Sequence, residues 1–151
     1  MVMKKAQSAM EYLMTYGWAI LIVIIVAAAL YMLGVFNPST YTQSTAVGFQ
    51  GFQVPTGGWQ LNTNGDLIII LRNMQGASIN VTNVTATYQN TLAYNDTYVV
   101  LNPNQETTFN ISSVGSQTSG SPYSVSTEIY YTNLDTGLTF KTTGTVSGTV
   151  S

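Results

Sequence analysis

The side chains best suited to acid–base chemistry in this chain are six carboxylates, Glu11, Asp66, Asp96, Glu106, Glu128 and Asp135, and they stand in 151 residues without one histidine or cysteine. Lacking histidine, the chain cannot build a Ser/His/Asp triad; lacking cysteine, it has no thiol nucleophile, disulfide or thiolate metal site. Two carboxylates flanking a glycosidic bond can hydrolyse it, but these acids are scattered along the sequence with no aromatic platform beside any pair. Asn62-Thr63-Asn64-Gly65-Asp66 has the opening pattern of a calcium loop, yet the bidentate glutamate that should come after it is replaced by the apolar run 67–71, so a turn accounts for these residues without an ion. No glycine-rich phosphate cradle precedes a helix, and Gly57-Gly58 marks a turn. The reading is therefore no enzyme, no cofactor and no metal.

A different chemistry is open to four asparagines. Asn80-Val-Thr, Asn83-Val-Thr, Asn95-Asp-Thr and Asn110-Ile-Ser all fit the N-glycosylation acceptor pattern. Charged residues are only 7% of the chain, against about 25% in a typical globular protein, which excludes electrostatic capture of nucleic acid. N-linked glycans would supply the solubility that charges do not. Asn80 and Asn83 are three residues apart, so a regular strand would send them to opposite faces.

Glu11 stands apart from the other acids because it opens a long apolar run. Residues 12–36 carry no charged side chain, and Ile20, Leu21, Ile22, Val23, Ile24, Ile25 and Val26 run in succession. A helix rises about 1.5 Å per residue, so roughly 20 apolar residues cross the hydrocarbon core of a bilayer, whereas a buried helix of a soluble domain rarely needs more than about 14. Apolar residues fall on every face of the wheel, leaving no stripe for water. Roughly 15 large apolar side chains at about 2 kcal/mol each gain, as an upper bound, on the order of 30 kcal/mol by leaving water. A carboxylate drawn unpaired into such surroundings is costly, so Glu11 calls for a cationic partner. Lys4 and Lys5 precede the run, and the positive-inside rule keeps them cytoplasmic while residue 37 onward crosses. Trp18 and Tyr31, with Tyr12 and Tyr16, are spaced as interfacial anchors. Gly17 and Gly34 suit close helix approach or bending, and Pro38 is expected to end the helix.

Taken as one string, Lys4-Lys5-Ala6-Gln7-Ser8-Ala9-Met10-Glu11, then EYLMTYGWAILI at residues 11–22 and LGVFNP at residues 33–38, resembles the leader and mature start of archaeal type IV pilins, on the adhesive rather than the archaellum branch. The resemblance covers residues 4–38. It implies a prepilin peptidase that cuts between Ala6 and Gln7 on the cytoplasmic side and leaves the helix in the mature protein. It also implies an assembly ATPase and a membrane platform protein as partners, and an acid at Glu11 that pairs with the new amine of Gln7, in its own chain or a neighbour. Ala27-Ala28-Ala29 offers a rival secretory cut, but the apolar run is too long for a signal peptide and continues past it. The expected organisation is a leader over 1–6, a polymerisation or transmembrane helix over 7–37, a linker over 38–46 and a head over 47–151. A single-pass surface glycoprotein that never polymerises shares the helix but has no use for the Gln7-to-Glu11 spacing; a minor pilin or archaellum subunit is the other alternative.

Beyond the linker the apolar period switches to two. Val47, Phe49, Phe52 and Val54 suggest a first strand with a bulge at Gly51. Residues 59–62 and 66–72 flank Asn64-Gly65, a hairpin signal in which both turn residues accept positive φ. The continuous run 67–71, LIIIL, predicts a strand buried on both faces. Further strands read at 79–88, 98–101, 107–111, 125–132 and 138–146, with Asp135-Thr136-Gly137 in the last hairpin and a mobile loop over 112–124. Seven or eight short strands argue for an immunoglobulin-like β-sandwich, making the whole an α+β chain of one helix and one all-β head.

Overall fold

The computed structural model describes residues 2–37 and 41–151, with side chains from residue 7 onward. Pro38, and with it the first three residues of the expected linker, lies outside the described residues, as do the side chains of Lys4, Lys5 and Ala6. The chain divides into two compact units, Met1–Thr40 and Tyr41–Ser151.

The first unit is one helix, α1 (Val2–Met32). Its end is set by Gly34. This residue takes φ +70°, its N–H donates to the Tyr31 carbonyl at 3.0 Å, and the Val35 N–H reaches back to the Leu30 carbonyl at 3.2 Å. That pair of bonds is a Schellman cap, which needs a left-handed residue that glycine adopts without steric cost. The helix thus stops short of the expected residue 37. Gly34 terminates the helix.

The second unit is an antiparallel β-sandwich, giving the expected α+β architecture with ten strands among the described residues. They are β1 (Thr45–Val47), β2 (Phe52–Gln53), β3 (Trp59–Leu61), β4 (Leu67–Asn73), β5 (Ile79–Tyr88), β6 (Thr91–Asn95), β7 (Val99–Leu101), β8 (Glu106–Ile111), β9 (Pro122–Asn133) and β10 (Thr139–Thr149). One sheet runs β1-β10-β9-β5-β6, with β7 sharing the β6 edge of β5; the other runs β2-β4-β3, with β8 on the opposite edge of β4. Alternate residues face inward from both sheets. Leu67, Ile69 and Leu71 of β4 meet Ile79, Val81 and Val84 of β5, Ile129 of β9 and Val146 of β10 in the core, each of these side chains 0% exposed.

Three expectations change. The single strand predicted over residues 47–54 is two short strands in different sheets, because Gly48 (φ +92°) and Gly51 (φ +81°) turn the chain from the β10 edge to the β4 edge. The run 67–71 is fully buried on one face only; Ile68 and Ile70 on the other are half-buried, as an outer face of a two-layer sandwich must be. The 62–66 turn holds the hairpin as expected, but only Gly65 takes positive φ: its N–H donates to the Asn62 carbonyl at 3.0 Å, and the added residue makes a bulged turn rather than a two-residue one. Strand β6 escaped the sequence pattern. Its hairpin turns on Gln89 and Asn90, both at positive φ, without a glycine to mark it. Residues 112–121 do form a loop, and it is pinned: Val114 is fully buried, its N–H donates to the Gly65 carbonyl, and Gln117 N–H donates to Thr63.

Polar joints tie the two layers. Asn73, fully buried at the end of β4, donates through Nδ2 to the carbonyls of Ala77 (2.9 Å) and Leu101 (3.0 Å) and accepts at Oδ1 from the Gln75 N–H. Trp59 Nε1 donates across to the Ser147 carbonyl at 3.0 Å. The Phe49 ring lies flat over Gly144, where a Cβ would come within 2.6 Å of three ring atoms. Asn73→Ala strands the buried Leu101 carbonyl and the part-buried Ala77 carbonyl and Gln75 N–H, so it is expected to cost about 2–3 kcal/mol in urea unfolding of a fragment spanning residues 41–151. In the same assay Gly144→Ala drives a methyl into the Phe49 ring and costs about 1–3 kcal/mol.

Candidate functional site

The feature that most demands an explanation is α1 itself. From Gln7 to Met32 no residue is buried, and this span is long and apolar enough to cross a membrane. Exposure runs round the whole circumference: Leu13 is 72% exposed, Trp18 66% and Val23 66%, positions that successive steps of five residues carry to three different sides of the helix. Because a water-facing helix keeps at least one polar stripe, this one belongs in lipid or among other helices. The Tyr12 and Tyr16 rings meet one turn apart, tilted by 33° with centroids 4.2 Å from each other, and both remain exposed.

At the start of this surface Glu11 projects outward. Its backbone carbonyl accepts from Thr15 Oγ1 at 3.0 Å, and among the described residues its carboxylate has no ion pair. The Ala6-Gln7 junction lies on the helical backbone of α1, one turn before Glu11. Gly17 has open space where a Cβ would sit, so a neighbouring backbone could approach there. Lys4 and Lys5 lie on the helical backbone about two turns before Glu11.

On the head, both cations are paired across strands. Arg72 meets Glu106 at 2.7 Å between β4 and β8, and Lys141 meets Glu128 at 3.0 Å between β10 and β9. The second pair extends to Tyr130, whose hydroxyl donates to Glu128 Oε2 at 2.7 Å. The Tyr130 hydroxyl, and then the Lys141 ammonium, hold the Glu128 carboxyl below the usual carboxylate range; Glu128 in return raises both Tyr130 and Lys141. Among the described residues no three acidic side chains gather closely enough to hold a metal ion. The 62–66 turn satisfies its own polar groups: Asn64 Nδ2 donates to Asp66 Oδ2 at 2.8 Å and Asn64 Oδ1 accepts from the Asp66 N–H.

The four acceptor asparagines are not equivalent. A bulge at Thr82 shifts the β5–β9 register between Val81 and Asn83, so the inward residues become Val81 and then Val84. Asn80 and Asn83 consequently share the outer face, which corrects the expectation that they oppose each other. Asn83 donates from Nδ2 to Asp96 Oδ1 at 2.7 Å, while its Oδ1 is buried without a partner. Asn95 donates to the Asn110 carbonyl at 2.6 Å and accepts from the Thr97 N–H and hydroxyl. Asn80 is half-buried and Asn110 exposed, and among the described residues no hydrogen bond engages either side chain. The Thr82 bulge and the Asp96 contact are the features sequence reasoning missed; a β-branched Val-Thr-Asn-Val run gives no sign of the extra residue.

Glu128 supplies a pH dependence whose sign is fixed. Its folded pKa lies below the unfolded one, so its contribution is present at neutral pH and is lost as pH falls through the carboxylate range, between about 5 and 3. Thermal melts of the head should move to lower temperature over that interval, and Glu128→Gln should flatten part of the decline. Comparison with protein-family models and with curated proteins gives no match for this chain.

Proposed function

We propose that the chain is the structural subunit of an archaeal type IV adhesion pilus, polymerising through α1 into an extracellular filament that carries the sandwich heads, with N-linked glycans, on its outside. The observation that carries this reading is a helix exposed and apolar on every face, joined in sequence to a head with its own closed core. A simple anchor needs the apolar length. It has no use for Lys4-Lys5-Ala6-Gln7 followed by an acid at Glu11.

Before assembly the helix rests in the cytoplasmic membrane, where lipid satisfies it. In the filament identical helices replace the lipid, so little hydrophobic free energy changes and helix packing, with an external motor, sets the direction. The resemblance to pilins supplies that motor as an assembly ATPase acting with a platform protein, after a prepilin peptidase has cut at Ala6-Gln7. The cut creates a cationic amine at Gln7, one helical turn before Glu11, and Glu11 pairs with it in its own chain or in a neighbour. Head contacts along an open filament are heterologous, and the outward threonines of β10, Thr143 and Thr145, lie on a face suited to them.

Material sheared from cells that make this chain should consist of filaments whose subunits begin at Gln7 by terminal sequencing. Glu11→Gln should abolish filaments while leaving the cleaved subunit in the membrane. Subunits that start at Met1 and stay as single membrane-anchored chains would sink the proposal. Unaltered filaments from Glu11→Gln, with Gln7 cyclised, would remove the charge pair alone.

A further inference from the structure

We infer that Asn110 is the acceptor for an N-linked oligosaccharide on the folded head, and that Asn83, with the same sequence pattern, stays bare. The inference rests on the proposed extracytoplasmic head and names the site of its modification.

N-glycosylation requires the amide nitrogen of the asparagine to act as a nucleophile, and the enzyme that transfers the sugar must also reach the hydroxyl two residues on. Each requirement tests the fold. At Asn83 the nitrogen is committed to the Asp96 carboxylate at 2.7 Å and the amide oxygen is buried. At Asn95 the nitrogen is held by the Asn110 carbonyl, and the amide oxygen has already captured the sequon's own hydroxyl, Thr97 Oγ1. At Asn80 the amide is uncommitted, but the residue is half-buried on an inner stretch of β5 paired on both edges, with Val100 of β7 and Thr132 of β9. A transferase cannot grip that backbone without opening the sheet.

Asn110 passes on every count. It is exposed, it points away from the core between buried Phe109 and Ile111, and it sits one residue from the end of β8, which pairs with β4 alone. Ser112, the hydroxyl residue, lies beyond the strand and exposed, and Ser113 at φ +68° then turns the chain away. Among the described residues no hydrogen bond engages the Asn110 amide or the Ser112 hydroxyl. The bond from Asn95 uses the Asn110 backbone carbonyl, so it survives modification of the side chain.

In the transfer, Asn110 Nδ2 attacks the anomeric carbon of a lipid-phosphate-linked oligosaccharide. The carbon–nitrogen bond forms, the carbon–oxygen bond to phosphate breaks, the lipid phosphate leaves with the electron pair, and the amide proton passes to a base of the transferase. The attached sugar then stands beside the edge of β8 that no strand pairs, where Asn95 already engages the Asn110 carbonyl, and hinders edge-to-edge pairing there, in a strand whose only charged residue is Glu106.

The test is site mapping on the chain isolated from its own cells. Cleavage at Arg72 and Lys141 leaves all four sequons on one fragment, so chymotrypsin, cutting after Tyr88, Tyr94, Tyr98 and Phe109, is the enzyme of choice. The expected result is a sugar mass that fragmentation of the peptides localises to Asn110, none localised to Asn83, and loss of that mass in Asn110→Gln. Sugar on Asn83, sugar elsewhere with Asn110 bare, or no sugar at any site overturns the inference. Electron microscopy of the same cells keeps the two readings apart. Bare chains in intact filaments defeat the glycan assignment alone, whereas sugar on Asn110 of a chain that never enters filaments supports it and defeats the filament.

Discussion

The constraint on which this molecule turns is the cost of leaving α1 in water. Roughly 15 large apolar side chains distributed around one helix cannot be sheltered along a single contact stripe, so a two-helix pairing would still leave most of the circumference wet. Only surroundings that are apolar on all sides satisfy it, which means lipid or several other helices. That demand explains the sharp ending at Gly34 as well. The Schellman bonds satisfy two of the last carbonyls within the chain, so the helix closes without borrowing donors from elsewhere.

The head solves the opposite problem. It has to be a complete folded body with few charges, and it does so with a dry core and a polar exterior built from threonine, serine and asparagine. Its two cations are spent on cross-strand pairs, each worth little at a partly exposed surface but each fixing the register of neighbouring strands. The buried polar work is given to Asn73, which ties the end of β4 to the approach to β5 and to β7, and to Trp59, which ties β3 to β10. These joints act on geometry: they set how the two layers meet, which apolar contacts alone leave free to slide.

One extra residue at Thr82 has consequences beyond its size. By shifting the register it puts Asn80 and Asn83 on the same outer face, and opposite it the β5 edge passes from β7 to β6. There the connecting residues swing Asp96 against Asn83. Sequons that look alike as strings thereby become chemically different, one tied down by a carboxylate and one free on an edge strand.

The sequence by itself determined the division into an apolar helix and an all-β head, because both periods are written in the order of apolar side chains. Strand β5 is predicted with its observed bounds, and the hairpins at Gly65 and Gly137 come from glycine's access to positive φ. What the sequence could not decide is whatever depends on partners distant in the chain. LIIIL reads as buried twice over until its place in a two-layer sandwich leaves Ile68 and Ile70 on an outer face. Residues 47–54 read as one strand until Gly48 and Gly51 carry them between sheets. Pro38 reads as the end of the helix because proline forbids continuation, although the cap at Gly34 ends it four residues earlier. The parity of β5 and the commitment of Asn83 and Asn95 depend on pairings with β9, Asp96 and Asn110, and only the folded backbone brings those groups within hydrogen-bonding reach.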